Sequence, residues 1–551
     1  MFRNSCMIKL KNLEKAVLYC AVFLFSFQSV SQGYNGIDVR SYQLELHVSD
    51  SSDLIRVHED IYFYRKDSKA CIAFDLVGQA SNPDREVITG MKVTECKFQG
   101  KNVPFIQDQD KLFLKLPESE LTAIDDDTEL HLELSFKGIP ANGLIIGSNM
   151  HGDRTFFADN WPNRAHHWFA CNDHVSDKAG FNVTVHAPEK YEVVANGVLV
   201  KEGMEKGVKV HQFESGIPLP VKVMVVGVAD LVIQTFDTVN GFPVSGAVYP
   251  QNQAKALYDL KLSPEIVRFY IDLFGDYPFE KLMGVQSTTM FGGMENAGCI
   301  FYDEKALNGK RTSETLLAHE IVHQWFGNSA TESDWSHLWL SEGFATYFTN
   351  VYIERTKGVE AFQKQMKKDR NQVIDFYGYY PHPLVDTSYS NLMDLLNANA
   401  YQKGGWVLHM LRRELGDDAF FRGIKHYYAR NEISNASSAD FQQAMEVVSG
   451  KNLDAFFKQW AYAAGHPILE VKGTPIGNAY TLLIRQIQPD GPFQFPLTVK
   501  FVLNNGETLV KTMEVTEKST QLKFDTVIPV VSVILDPNCD LLFEVKASNL
   551  K

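Results

Sequence analysis

Five residues, His319-Glu320-Ile321-Val322-His323, place two imidazoles four positions apart. On a helix that spacing projects both rings from one face, where they can share a single cation. Imidazole combined with carboxylate suits zinc, which in catalytic sites takes three protein ligands and keeps one position for water. Glu320 lies beside the two ligands without being one, which suits a general base. The third ligand is expected to be Glu342, in Trp339-Leu340-Ser341-Glu342-Gly343, nineteen positions after His323 at the start of the next helical pattern. A His pair satisfied inside a core, or an acid favoured at a helix start by the dipole, would look the same in isolation. About two dozen residues earlier stands Gly292-Gly293-Met294-Glu295-Asn296. Paired glycines let a substrate backbone approach closely, and Glu295 is placed to meet a positive group, although a turn with a stray acid reads alike.

The elements that must position these residues follow from periodicity. Residues 313–326 read as a helix, with Ser313 as N-cap and Glu314 in the first turn. Leu316, Leu317, Ile321, Val322, Trp325 and Phe326 give it an apolar body, so it is expected to be buried. Further helical patterns cover 263–274, 343–355, 358–376, 395–415 and 439–450. Before them, from about residue 36, short alternating runs at 42–48, 130–136, 181–186 and 221–226 are separated by Gly, Asn and Pro, the pattern of an antiparallel β domain. After His466-Pro467 strands return at 480–486, 497–503 and 531–535, with turns at Asp490-Gly491-Pro492 and Asn504-Asn505-Gly506, as in a small β-sandwich. The expected fold class is multidomain α+β: an N-terminal β domain over 32–234, a mainly α catalytic domain over 235–465 and a β-sandwich over 466–551.

The first 31 residues read differently. Arg3, Lys9, Lys11 and Lys15 form a basic leader, residues 16–27 are almost wholly apolar, and Ser29 and Ser31 precede Gln32. This is the make-up of a cleavable secretory signal. A membrane anchor is the competing reading, but spanning takes about 20 apolar residues and this run is shorter. Export to the periplasm or the exterior is therefore expected, with no membrane span after signal removal. Loss of four basic residues and one acid would shift the formal charge from −14 to −17. An acidic chain argues against nucleic acid as a partner, since that requires clustered Lys and Arg. With 45% hydrophobic and 22% charged residues, the composition also excludes a largely disordered chain. Cys71 and Cys96 could pair in an oxidising compartment, and no Cys spacing resembles a zinc site.

Gly-Gly-Met-Glu-Asn, followed by His-Glu-x-x-His, eighteen residues and Glu, resembles the gluzincin aminopeptidases typified by aminopeptidase N. The Trp-Leu-x-Glu-Gly setting of the third ligand fits, as does Tyr401-Gln402-Lys403-Gly404 as the family's Tyr-x-Lys-Gly. The resemblance covers roughly 36–548 and implies a thermolysin-like catalytic domain with one zinc ion held by His319, His323 and Glu342. It implies hydrolysis of the first bond of peptides with a free N-terminus. Glu320 would be the base, Tyr401 the oxyanion donor, Glu295 the partner of the α-ammonium, and Gly292, Gly293, Met294 and Asn296 would lie along the substrate. Many members add a Gln from the β domain. Here Phe156-Phe157-Ala158-Asp159-Asn160-Trp161-Pro162-Asn163 offers Asp159, Asn160 and Trp161 instead. Larger members continue into a helical domain that covers the cavity, whereas this chain ends in strands. A short form is expected, its site more open or covered by a second subunit, with the oligomeric state left open.

Two other readings compete. The family's epoxide-hydrolase branch, related to leukotriene-hydrolase-type enzymes, shares the zinc site. A non-catalytic peptide-binding relative would be expected to lose Glu320, Tyr401 or a ligand, and none is lost. His166-His167 with Cys171 could suggest another metal site, but adjacent side chains on a strand point to opposite faces. His409 and His426 lie in helical patterns and read as packed or solvated.

Overall fold

The computed structural model describes residues 36–67, 71–82, 87–121, 124–125 and 128–550. The expected signal segment lies outside the described residues. The chain divides into two compact units. The first holds residues up to Gly147, Phe156–Ala195 and Leu199–Val228; the second holds Ser148–Thr155, Asn196–Val198 and Ala229 onward.

In the first unit, strand β1 (Ile37–Ser49) pairs antiparallel with β2 (Ser52–Arg65). On its other side β1 runs parallel to β3 (Lys178–Ala187), from Ser41 opposite Gly180 to His47 opposite His186. The large sheet is therefore mixed, not purely antiparallel. The chain between β2 and β3 is long enough for the crossover that parallel pairing requires, and hydropathy alternation carries no sign of strand direction. Period-2 burial is plain in β1, where Tyr42, Leu44, Leu46 and Val48 are buried while Gln43, Glu45 and His47 face outward. The run at 221–226 departs from the expected strand. Val221–Val223 is a 3-10 turn entered through Pro220, and extended pairing resumes at Val226–Ala229. All of these residues are buried, so no alternation could distinguish turn from strand. Cys96 is a buried free thiol, so the conceivable pairing with Cys71 is not formed.

The second unit begins with a sheet that periodicity did not reveal. β4 (Val232–Val239), β5 (Phe242–Val248), β6 (Leu282–Ser287), β7 (Gly293–Met294) and β8 (Cys299–Asp303) pair in the order β4-β5-β6-β8-β7. Its inner strands are parallel and β7 is an antiparallel edge. The helices that follow include α1 (Ser263–Phe274), α2 (Glu314–Val322), α3 (Trp339–Lys357), α4 (Val359–Tyr377), α5 (Gly404–Leu415), α6 (Asp417–Asn431) and α7 (Ser438–Ser449). Aromatic packing joins them. Phe274 meets Trp325, Phe326 and Phe348 edge-on, and Phe441 meets Phe344 and Tyr427 in the same way.

The C-terminal strands form two sheets. β9 (Ile468–Ile476) and β10 (Ala479–Gln486) belong to a four-stranded one, and β11 (Phe495–Leu503) is the centre of a three-stranded one. His409 on α5 ties the helices to this region. Its Nε2 donates to the carbonyl oxygen of Cys539 at 3.0 Å, and its Nδ1 lies 3.1 Å from the Tyr347 hydroxyl. Burial, reinforced by Arg413 and Arg412, lowers the His409 pKa to about 3. A buried neutral imidazole favours folding above the unfolded-state pKa of about 6.5 and loses that contribution as pH falls toward 3. His409→Gln is therefore expected to flatten the acid limb of a plot of denaturation midpoint against pH. An unchanged slope would show that His409 titrates normally in the fold.

Candidate metal centre and surrounding active site

Helix α2 carries His319 and ends at Val322, with His323 as its C-cap. Ser313 occupies its N-cap position but makes no side-chain cap bond. Glu314 in the first turn is engaged instead with the far end of α3, accepting from the Tyr352 hydroxyl at 3.1 Å and Lys357 Nζ at 2.8 Å. α2 and α3 are thus fixed against each other, and Glu342 in the first turn of α3 faces the histidines.

The Nε2 atoms of His319 and His323 are 3.2 Å apart, and Glu342 Oε2 lies 3.5 and 3.4 Å from them. Ligands about 2.0–2.2 Å from one tetrahedral zinc stand roughly 3.3–3.6 Å from one another. These residues therefore fit a zinc ion without rearrangement. Orientation agrees with spacing. His323 Nδ1 donates to the Phe326 carbonyl at 3.2 Å, with Ser341 Oγ 3.1 Å away, which turns Nε2 toward His319 and Glu342. Such outer partners fix the tautomer of a ligating histidine. Gly327 makes room for them, since a Cβ there would lie 2.3 Å from Ser341 Oγ and its φ is +117°.

Electrostatics reflect the same convergence. Burial holds His319 below the ordinary histidine range, keeping the ring neutral. Burial would also lower His323, but Glu342, Glu295 and Glu320 outweigh it and raise the pKa to about 9. Burial opposes ionisation of Glu342, yet His323 and His319 hold it well below the usual carboxylate range. Glu320 goes the other way: burial, with Glu295 and Glu342 nearby, raises its carboxyl well above the ordinary value despite His323.

Three close approaches assemble the rest. A Cβ on Gly293 would fall 2.4 Å from Glu320 Oε1 and 2.7 Å from its Cγ, so the second glycine of the pair leaves room for the Glu320 side chain. Nothing lies within 4 Å of a Cβ on Gly292, so open space remains beside it. Gly343 and Gly404 touch backbone to backbone: a Cβ on Gly343 would lie 2.8 Å from the Gly404 Cα. This contact brings the start of α3 against the turn bearing Tyr401.

That turn corrects the helix expected over 395–415. Leu392–Leu395 is a 3-10 turn, Asn399–Lys403 is a π-helical turn, and only Gly404–Leu415 is α-helical. π-turns recur at functional sites because the wider turn re-aims a side chain. The Tyr401 ring lies parallel to that of His319, with centroids 6.1 Å apart. Burial, with Glu342, Glu295 and Glu320 nearby, raises its pKa well above the usual phenol value, so the hydroxyl stays protonated.

Glu295, Met294 and Asn296 are all buried, and Met294 pairs with Phe301 across the sheet edge. The Glu295 backbone is clasped by two amides that sequence reasoning missed. Gln324 Nε2 donates to its carbonyl at 2.9 Å and Asn328 Nδ2 at 2.6 Å, while Gln324 Oε1 accepts from the Gly298 amide at 2.8 Å. The available signal was their polarity beside Trp325 and Phe326, directly after the second histidine. Gln324→Ala is expected to cost about 1–3 kcal/mol of stability by stranding buried groups. Hydrogen exchange at the Gly298 amide should rise with it, and unchanged protection there would refute the clasp.

Other candidates resolve within the first unit. Asp159 pairs with Arg164 at 2.6 Å. Asn160 donates to the carbonyls of Val221 and Met224 and accepts from Trp168 Nε1. His166 and His167 are not on a strand; they lie in a 3-10 turn with stacked rings, and His166 Nδ1 is bound to Asp173 at 2.6 Å. Among the described residues they join no cluster of metal-ligating side chains.

The paired histidines, closed by a glutamate from the next helix, offer two imidazoles and one carboxylate to a single ion. Residues 258–460 match the family model described as the peptidase family M1 domain. The chain is 25% identical over 480 residues to probable aminopeptidase 2 of Sulfurisphaera tokodaii, covering 80% of this chain and 58% of that protein. It is 24% identical over 405 residues to leucyl aminopeptidase of Saccharolobus solfataricus, covering 69% and 50%. It is 26% identical over 384 residues to glutamyl aminopeptidase of Homo sapiens, covering 65% and 40%. The chain spans about half the length of the curated relatives it matches. Residues 258–460 thus resemble a peptidase family M1 domain, and the relatives named above are aminopeptidases. No helix among the described residues is long and apolar enough to cross a membrane.

Proposed function

We propose that this chain is an exported zinc aminopeptidase that removes the N-terminal residue of peptides, its catalytic region thermolysin-like. The convergence of His319, His323 and Glu342 at ligand spacing, with Glu320 packed on Gly293 beside Glu295, carries this reading. A zinc ion held by these three residues would supply Lewis-acid activation of water and of the scissile carbonyl. Glu320, whose raised pKa suits proton exchange, takes a proton from the attacking water and passes it to the leaving amine. Tyr401 donates its hydroxyl hydrogen to the oxyanion that develops on the carbonyl. Glu295 pairs with the substrate's α-ammonium, which sets cleavage at one residue from the end. Gly292, Gly293 and Asn296 border the bound chain, with Met294 anchoring their strand. The basic leader and apolar stretch at the N-terminus support export, to the periplasm or beyond it.

A panel of fluorogenic aminoacyl amides, each with a free and an N-acetylated version, tests the reading. Release from the free forms alone is expected. Turnover of neither form by the zinc-loaded protein would overturn it. In the same panel Glu295→Gln should lower kcat/KM for free amines by about tenfold to a hundredfold, the loss of a charged hydrogen bond. Most of that loss should lie in KM, and undiminished discrimination against acetylated substrates would remove Glu295 from the amine site.

A further inference from the structure

The outward face of the first unit's sheet carries a second group of metal-ligating side chains. His47 on β1 and His186 on β3 are direct register partners. Their rings stack with centroids 4.2 Å apart and planes 14° from parallel. Glu45, two residues before His47, projects from the same face. Its Oε1 lies 3.1 Å from His47 Nε2 and 3.0 Å from His186 Nε2. One ligand atom from each of the three falls within 4.8 Å of the others.

We propose that Glu45, His47 and His186 form a second metal site of the two-histidine, one-carboxylate type, selective for a divalent transition metal such as zinc. Two imidazoles and a carboxylate disfavour calcium and magnesium, which take oxygen ligands, and favour zinc, nickel or copper. The separations between nitrogen and oxygen approach those of neighbouring ligands on one ion. Without metal, the two Nε2 atoms share a single carboxylate oxygen; on metal binding each neutral ring takes up its Nδ1–H tautomer, so that both Nε2 atoms and the carboxylate can ligate with no net proton released. Glu45 and His47 side chains are each 43% exposed, whereas His186 is 14% exposed. The site is thus anchored on one side by a mostly buried ligand and open on the other to water ligands. The backbone that sets the spacing is rigid, since both strands are flanked by paired neighbours in the same sheet.

The test measures zinc uptake by the full-length chain, using equilibrium dialysis and elemental analysis alongside peptide hydrolysis. The unaltered protein is expected to retain one more equivalent of zinc per chain than His47→Gln or His186→Gln. That equivalent should bind at least tenfold more weakly in either variant, with hydrolysis unchanged. His319→Ala should lose a different equivalent, together with activity. Equal zinc stoichiometry and affinity in the unaltered protein and a folded His47→Gln variant would overturn the proposal. His47 is on the solvent face, and circular dichroism establishes that the variant is folded; Glu45→Gln, also on that face, serves as the second variant.

Discussion

Glu320→Gln is expected to lower kcat by about 10²–10⁴-fold, the range for loss of a positioned general base, without lowering zinc content. Glutamine is nearly isosteric with glutamate, so the contact with Gly293 is kept and the ligand geometry around it is undisturbed. What is lost is a group that can accept a proton. The raised pKa of Glu320 arises from burial and neighbouring carboxylates, and removing one of those negative charges relieves repulsion. Thermal stability should therefore hold or increase while turnover collapses. Gly293→Ala makes the complementary change: Glu320 remains, but its carboxylate must move from a position only 2.4 Å from the new methyl. Elemental analysis, thermal denaturation and single-turnover kinetics on both variants separate chemistry from folding. Substantial turnover in Glu320→Gln at full zinc occupancy would remove Glu320 as the base.

The chemistry was more legible in the sequence than the scaffold. His319, His323 and Glu342 could be singled out together because metal ligation would dictate their residue types and the four-residue spacing, and the two helices around them are largely buried. α1 was outlined at the correct ends, Ser263 and Phe274, because its apolar face repeats cleanly and Gly275 follows with a positive φ. The sheet through Leu282–Ser287 and Cys299–Asp303 was not legible. Its strands are short and buried throughout, so they lack alternation. The π-turn at Asn399–Lys403 was equally hidden, since its composition suits an α-helix and only packing against α3 selects the wider turn. The roles of Gly343 and Gly404 were invisible for a related reason. Each is a helix-weakening residue when considered alone, and only their mutual contact explains the pair.

Tyr401→Phe is expected to reduce kcat by about 10²–10³-fold, the effect of deleting one oxyanion donor, while KM and zinc content change little. The ring stays parallel to His319, and its setting in the turn depends on the Gly343–Gly404 contact, not on the hydroxyl. Phenylalanine therefore preserves the shape of the site and removes one hydrogen. The surrounding carboxylates matter here. Together with burial, the larger cause, they raise the Tyr401 pKa, so the hydroxyl remains a donor across the whole neutral range, and its ionisation should contribute no alkaline limb to the wild-type pH profile below about pH 10. A phenol near its ordinary pKa would instead begin to ionise there and lose its donor function. Comparing kcat against pH for the wild type and Tyr401→Phe decides the point: two parallel profiles offset by the stated factor are expected. Wild-type activity in Tyr401→Phe would assign the oxyanion to another donor, and a falling limb present only in the wild type would show that Tyr401 ionises in the working range.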